Sequence, residues 1–150
     1  MSLRALLLVL PVTLALAACE EGMSVPSDTS STPERMPIAA DGARLYMSYC
    51  ASCHGEKGRG DGPMARAMTK APKDLTLLSV RHGDRFPRAK VMSTVDGYAR
   101  SNLSGPGMPK FGELLSGDLV PYDSGDGVQT PTPRKLVALV EYLETIQQTR

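Results

Sequence analysis

The sequence is poor in aromatic side chains and in residues that bind metals. With no Trp, two Phe and five Tyr among 150 residues, side chains alone would build a thin core for this length. Outside one short cluster, Cys19 and His82 are the only remaining Cys and His, too few for a well-supported four-ligand zinc site. The apolar run at residues 5–16 holds about 12 residues and includes Pro11, short of the ~20 that span a membrane. The composition therefore disfavours zinc and transmembrane classes and leaves the core incomplete.

That cluster is Cys50-Ala51-Ser52-Cys53-His54, a Cys-x-x-Cys-His motif. The pattern is the attachment site of c-type haem, in which each thiol forms a thioether with a haem vinyl group and the His becomes the proximal iron ligand. A thioredoxin-type redox site is disfavoured, because the residues before Cys50 are helical in character rather than a buried strand. One covalent haem c with its iron would also supply the missing apolar bulk.

The N-terminus predicts export. Residues 1–18 combine Arg4, an apolar run and small residues, as a signal peptide does. Leu16-Ala17-Ala18-Cys19 resembles a bacterial lipobox, which implies that Cys19 becomes a lipid anchor; the alternative is an ordinary secretory signal with an incidental Cys. Residues 19–40 are rich in Ser, Thr and Pro and predict a flexible tether or a passive spacer. We expect a lipid-anchored protein on the periplasmic side of a bacterial membrane.

Residues 41–150 are the predicted folded domain. Its expected elements are a helix capped by Asp41, a short helix over 63–69, a third helix from Pro87 to Gly97, and a last helix capped by Thr132 and running to about Gln148. Residues 115–130 form an acidic insertion whose Asp126-Gly127 pair favours a small hairpin.

The stretch from Cys50 to Pro63, Cys-x-x-Cys-His-Gly-x-x-Gly-x-Gly-Asp-Gly-Pro, resembles the class I, monohaem cytochromes c of bacteria. The resemblance implies an all-α fold in which the N- and C-terminal helices pack together around the haem. The contact residues that it implies are Gly42 and Tyr46 on the first helix and Leu139 and Tyr142 on the last. Class II cytochromes c carry the motif near the C-terminus, so its early position argues against them.

The resemblance also implies a sixth iron ligand, Met108, within Gly105-Pro106-Gly107-Met108-Pro109-Lys110-Phe111. A neutral thioether would raise the reduction potential relative to a second strong donor. The other methionines fall in residues 1–36 or on predicted helices, namely Met47, Met64, Met68 and Met92. His82 is the competing ligand. Tyr98 and Arg100 are candidates for hydrogen bonds to a haem propionate, although a solvated loop explains them equally well.

The charge is uneven along the chain. Residues 41–112 carry twelve Lys and Arg against six Asp and Glu, whereas residues 113–133 carry four acids and no base. Basic side chains around an exposed haem edge would steer an acidic redox protein partner. They are Lys57, Arg59, Lys70, Lys73 and Lys110.

These features predict a single-electron carrier between membrane redox complexes, with no nucleic-acid partner and no enzymatic activity of its own. One alternative is a small-molecule binder or peroxidase with an open sixth iron position. The other is a fixed electron-entry subunit of an oxidase or dehydrogenase.

Overall fold

The computed structural model describes residues 36–98 and 107–149. The predicted signal peptide, Cys19, most of the predicted tether, Arg100 and the Gly105-Pro106 pair lie outside the described residues. Within them, the α-helices are α1 (Ala39–Tyr49), α2 (Ala51–His54), α3 (Arg88–Asp96) and α4 (Arg134–Thr145), and the strands are β1 (Leu119–Asp123) and β2 (Gln129–Pro133). Short 3₁₀ turns cover Ala65–Ala67, Leu75–Leu77 and Val80–His82.

Helix α1 begins three residues earlier than predicted, and Asp41 is not its cap. Ile38 occupies the N-cap position in extended conformation, and the Asp41 carboxylate in the first turn accepts a hydrogen bond from the Ile38 N–H at 3.5 Å. Asp41 also pairs with Arg44. An acidic side chain inside the first turn also stabilises the positive end of the helix dipole.

The predicted contact between the first and last helices is confirmed. A Cβ atom built on Gly42 would lie 1.9 Å from the Ala138 carbonyl oxygen, so only glycine permits this close approach of α1 and α4. One turn later, Tyr46 is fully buried, and its ring centroid lies 5.2 Å from that of Tyr142. Leu139 is likewise buried on α4.

Helix α4 supplies most of the core. Residues 136–140 and Leu143 are buried, and they pack with Val91 and Val95 of α3 and with Val120 and Tyr122 of β1. The buried side chains of α4 thus form a wide apolar face that α3 and β1 cover. The helix itself runs only to Thr145, short of the predicted end at Gln148.

The predicted all-α fold is incomplete, because the acidic insertion forms a two-stranded antiparallel sheet. Strand β1 pairs with β2 so that Pro121 faces Pro131 and Val120 faces Thr132. The hairpin suggested by Asp126-Gly127 is confirmed; its turn is closed by the Asp123 carboxylate, which accepts the N–H groups of residues 125–127. These hydrogen bonds lower the pKa of Asp123.

Thr132 belongs to this hairpin, so the prediction that it caps the last helix is wrong. Its hydroxyl donates to the Thr130 carbonyl within the strand, and Pro133 occupies the N-cap position of α4. Pro121 and Pro131 face each other and both lack an N–H group, so they form a non-hydrogen-bonded pair. In such a pair the backbone nitrogen of each residue points away from the partner strand, toward the outer edge of the hairpin. Proline at an outward edge position hinders pairing with a further strand.

The short helix expected over residues 63–69 is reduced to a single 3₁₀ turn. The N–H groups of Ala65, Ala67 and Met68 donate to carbonyls three residues earlier, and the extended backbone of Met68 then ends the turn. By contrast, α3 begins after Pro87 and ends at Gly97 as predicted. None of the helices in the described ranges is long and apolar enough to cross a membrane.

The helix crossing makes a prediction about Gly42. Replacing glycine by alanine within an exposed helix stabilises it by about 1 kcal/mol, but at Gly42 the new methyl group collides with the Ala138 carbonyl. We expect Gly42→Ala to lower the free energy of unfolding of the haem-loaded protein by about 2 kcal/mol, measured in guanidinium. Ser48→Ala on the exposed side of α1 is the control and should change stability by less than about 0.5 kcal/mol. A Gly42→Ala protein as stable as the parent would contradict the crossing geometry.

Candidate functional site

The Cys-x-x-Cys-His motif lies at the junction of two helices. Cys50 ends α1, where its N–H donates to the Tyr46 carbonyl at 2.8 Å, and it is also the N-cap of α2. Helix α2 is one turn long and ends at His54, so both cysteines and the imidazole share one turn. Cys50 and Cys53 are free thiols and are half-buried. Burial and the neighbouring Cys53 raise the pKa of the Cys50 thiol to about 11, which keeps it protonated at neutral pH.

The loop after His54 folds back onto this turn. A one-turn helix leaves its last carbonyls without helical partners. Here the N–H of Gly60 donates to the His54 carbonyl at 2.7 Å, that of Gly62 to Cys53 at 3.2 Å and that of Met64 to Ser52 at 2.9 Å. A Cβ atom on Gly62 would lie 2.5 Å from the Ser52 carbonyl oxygen. The glycine-rich segment therefore closes the end of the motif by direct backbone contact.

Tyr46 connects this turn to the helix crossing. Its hydroxyl donates to the Gly55 carbonyl at 2.6 Å, immediately after His54. Burial, reinforced by the nearby Cys50, raises the pKa of Tyr46 far above its ordinary value, so the hydroxyl remains a donor. The residue that packs against α4 thus also holds the end of α2.

The His54 ring is oriented by a backbone carbonyl. Its Nδ1 lies 3.1 Å from the Lys73 carbonyl oxygen. Because a carbonyl can only accept, Nδ1 must carry the proton, and the lone pair of the neutral ring is then on Nε2. Burial lowers the pKa of His54, partly offset by this hydrogen bond, which favours the neutral form that binds metals.

His82, the competing ligand, is placed differently. Its Nδ1 lies 2.8 Å from the Leu78 carbonyl, and its Nε2 lies 3.3 Å from the Lys90 ammonium. Its Nε2 thus faces the ammonium of Lys90, an exposed side chain.

Met108 lies in a loop anchored on α3. The N–H groups of Phe111 and Gly112 donate to the carbonyls of Val95 and Asp96 at the end of that helix. Met108 and Phe111 are half-buried and pack against the core. Tyr98, by contrast, is 83% exposed, and no described contact assigns it a role.

The prediction that the other methionines of the folded domain lie on helices, and so are poor candidates for the distal ligand, is only partly confirmed. Met47 and Met92 lie on helices as predicted, but Met64 and Met68 flank the 3₁₀ turn that replaces the expected helix. Met64 is 54% exposed, whereas Met68 is half-buried in an irregular segment. Met68 is therefore the thioether that an experiment must separate from Met108.

The chemistry of these residues fits covalent haem. Two free thiols and a correctly tautomeric imidazole share one turn, and several apolar side chains around the core are only half-buried, as expected of surfaces that a porphyrin would cover. These side chains are Leu75, Leu78, Phe86, Met92, Met108 and Phe111. No group of three His, Cys, Asp or Glu side chains converges on a metal site in the part of the chain that the structure describes.

Residues 37–120 match the family model of cytochrome c oxidase, cbb3-type, subunit III. This match covers more than half of the chain and includes the Cys50–His54 motif and Met108. The chain belongs to this cytochrome c family. Membership implies covalent haem c with iron, a helical haem-binding fold and electron transfer by the haem. Cytochrome c domains of this type are usually exported to the periplasmic side of the membrane.

A curated relative links the cytochrome c domain to a larger protein. The polyvinylalcohol dehydrogenase of Sphingopyxis sp. (strain 113P3) is 27% identical over 136 residues, which cover 84% of this chain and 19% of that protein. The chain thus spans about a fifth of the length of this relative. No solved structure matches the chain.

Sequence reasoning missed the partners that orient the imidazole. Lys73 acts through its backbone carbonyl, so its side-chain identity carried no signal, and the sequence predicted only a surface charge at this position. Gln147 forms hydrogen bonds with Leu75 and Ser79, which follow Lys73 in the chain. It lies outside the matched region and resembles any polar residue at a helix end. Such contacts depend on tertiary placement rather than on a local motif.

Covalent attachment can be tested on the two thiols. We expect the parent protein to retain haem after denaturation and extraction with acidified organic solvent, and the Cys50→Ala/Cys53→Ala variant to lose it completely, because both thioethers are gone. Ser52→Ala, between the two thiols, should retain the haem. Haem that resists extraction in the double variant would contradict the assignment.

Proposed function

We propose that this cytochrome c domain is a single-electron carrier with one haem, His54 as proximal ligand and Met108 as distal ligand. The haem iron, when bound, takes up and releases one electron. Cys50 and Cys53 attach the group, and the chain itself performs no substrate chemistry. The observation that carries the proposal is the orientation of His54, whose Nδ1 is committed to the Lys73 carbonyl so that Nε2 remains available to iron.

The distal side supports the same proposal. Met108 is half-buried, and its loop is tied to α3 through backbone hydrogen bonds at 3.0 and 3.3 Å. A loop held at this point can present a thioether without large reorganisation between oxidation states. Rigid ligation on both sides is what fast electron exchange requires, whereas an open sixth position would suit a small-molecule binder or peroxidase.

The proposed location rests on the N-terminal sequence and the family. A signal peptide in residues 1–18, a lipid anchor on Cys19 and a tether over 19–40 would keep the domain on the periplasmic surface of a membrane. A tethered domain meets membrane-bound partners at high effective concentration.

A basic surface is the proposed docking site for redox partners. The five basic residues of this proposed surface are all exposed. None of them takes part in the ion pairs among the described residues, which join Asp41 to Arg44 and Arg88 to Glu144. Lys57 and Arg59 lie in the glycine-rich loop after His54, and Lys73 supplies the carbonyl that orients the imidazole. The other two are Lys70 and Lys110. Attraction to these exposed basic side chains would steer an acidic partner.

A second candidate is favoured by the relative. A polyvinylalcohol dehydrogenase that contains a similar segment suggests a fixed electron-entry subunit that serves a dehydrogenase. Stable association, detected as a complex that survives mild detergent extraction and sedimentation, would support this role over a mobile carrier.

The distal ligand can be tested by spectroscopy. We expect the ferric parent protein to show the near-infrared band of thioether-to-iron coordination, and the ferrous protein not to bind carbon monoxide. Met108→Ala should lose the band and bind carbon monoxide readily, because the sixth position opens.

Met68→Ala is the matched control, since Met68 is also half-buried in an irregular segment. It should keep the band and exclude carbon monoxide. Loss of the band in Met68→Ala but not in Met108→Ala would overturn the assignment. Carbon monoxide binding by the parent would favour the binder or peroxidase.

The charge proposal can be tested with small redox reagents. We expect oxidation of the ferrous protein by hexacyanoferrate(III), an anion, to slow as ionic strength rises, because salt screens its attraction to the basic surface. Lys73→Glu should flatten this dependence. Lys135→Glu makes the same charge change on α4 and should flatten it much less. An oxidation rate that is independent of ionic strength would refute the steering role.

A further inference from the structure

The chain that follows α4 holds the loop that orients His54. Gln147 uses its whole side-chain amide: its Oε1 accepts from the Ser79 N–H at 2.9 Å, and its Nε2 donates to the carbonyls of Leu75 at 2.8 Å and Leu143 at 2.6 Å. One acceptor and two donor positions are thus satisfied, and the Gln147 side chain is half-buried. The amide joins the last turn of α4 to both ends of residues 75–79.

The same loop is held at Thr76. Gln148 donates from its N–H to the Thr76 carbonyl at 2.8 Å and from Nε2 to the Thr76 hydroxyl at 2.9 Å. That hydroxyl in turn donates to the Asp74 carboxylate at 2.6 Å, and the carboxylate also accepts the Thr76 N–H at 2.8 Å. Thr76 is buried, so these bonds are shielded from water.

The hydrogen bonds of Gln147 and Gln148 act on the imidazole through a short stretch of backbone. Lys73, whose carbonyl accepts from His54, directly precedes Asp74 and Leu75. The Leu75 N–H donates to the Gly58 carbonyl at 2.7 Å, which ties the loop to the segment that closes the haem motif. With Leu75 held by Gln147 and Thr76 by Gln148, the Lys73 carbonyl has little freedom to move away from His54.

We propose that Gln147 is a positioning residue for His54: it fixes the loop that carries the Lys73 carbonyl and so sets the strength of the hydrogen bond to the imidazole Nδ1. The inference rests on the proposed ligation of iron by His54. A stronger bond at Nδ1 makes the imidazole a better donor, which stabilises ferric iron and lowers the reduction potential. Gln147 lies beyond the matched residues 37–120.

The test compares variants of the haem-loaded protein. Gln147→Leu keeps a similar volume but removes all three hydrogen bonds; we expect a higher reduction potential and at least tenfold faster hydrogen exchange of the His54 Nδ1–H in the ferrous protein, measured by NMR. Gln147→Glu keeps an acceptor for Ser79 but loses the donations to Leu75 and Leu143, so the increase in Nδ1–H exchange should be intermediate. Its added negative charge also acts on the haem, so the potential is compared between the parent and the neutral Gln147→Leu. This second variant also serves if Gln147→Leu folds poorly.

Two controls separate positioning from simple destabilisation. Gln129→Leu changes an exposed glutamine of β2 and should alter neither quantity. Leu136→Ala opens a cavity near the other end of α4 and should lower stability without moving the potential or the Nδ1–H exchange. If Gln147→Leu behaves like Leu136→Ala, the positioning role is wrong.

The outcome is distinguishable from failure of the proposed function. If Nδ1–H exchange is faster in Gln147→Leu but the parent lacks the thioether band, the positioning role of Gln147 stands and the assignment of Met108 as distal ligand is wrong. An intact band with unchanged exchange and potential in both Gln147 variants would overturn the positioning role alone.

Discussion

The hydrogen bond from the His54 ring to the Lys73 carbonyl is the constraint on which the rest of the site depends. It determines which imidazole nitrogen carries the proton and which can bind iron. The motif alone cannot make this bond, because Lys73 lies nineteen residues further along the chain. The loop that carries Lys73 must therefore be held by other elements, and the residues that follow α4 hold it.

The N-terminal side acts through packing and the C-terminal side through polar contacts. Gly42 lets α1 approach α4, and buried Tyr46 at this crossing donates to the carbonyl that follows His54. From the other direction, Gln147 and Gln148 bind the loop after Lys73. One helix crossing thus positions both the turn that bears the thiols and the carbonyl that orients the imidazole, which explains how a domain with few aromatic residues holds a defined site.

The sequence predicts those parts of the molecule that local patterns encode. The Cys50–His54 motif, α3 between Pro87 and Gly97, and the hairpin at Asp126-Gly127 depend on neighbouring residues, and they are found where expected. The helix expected over 63–69 is replaced by a 3₁₀ turn, because Ala67 and Met68 donate to carbonyls three residues earlier and Met68 has an extended backbone. Thr132 fails as a cap because it pairs within the hairpin. The role of Gln147 carries no local signal, because its loop partners Leu75 and Ser79 lie about seventy residues away.

In the proposed function, His54 and Met108 would be the two protein ligands of the haem iron. The most direct measurement is the NMR spectrum of the ferrous protein labelled at its methionine methyl groups, with the shifted signal assigned by substitution. We predict that one methyl resonance moves far upfield in the ring current of the porphyrin and that it belongs to Met108. An upfield methyl that belongs to Met68, or a ferrous spectrum without any such signal, would contradict the account.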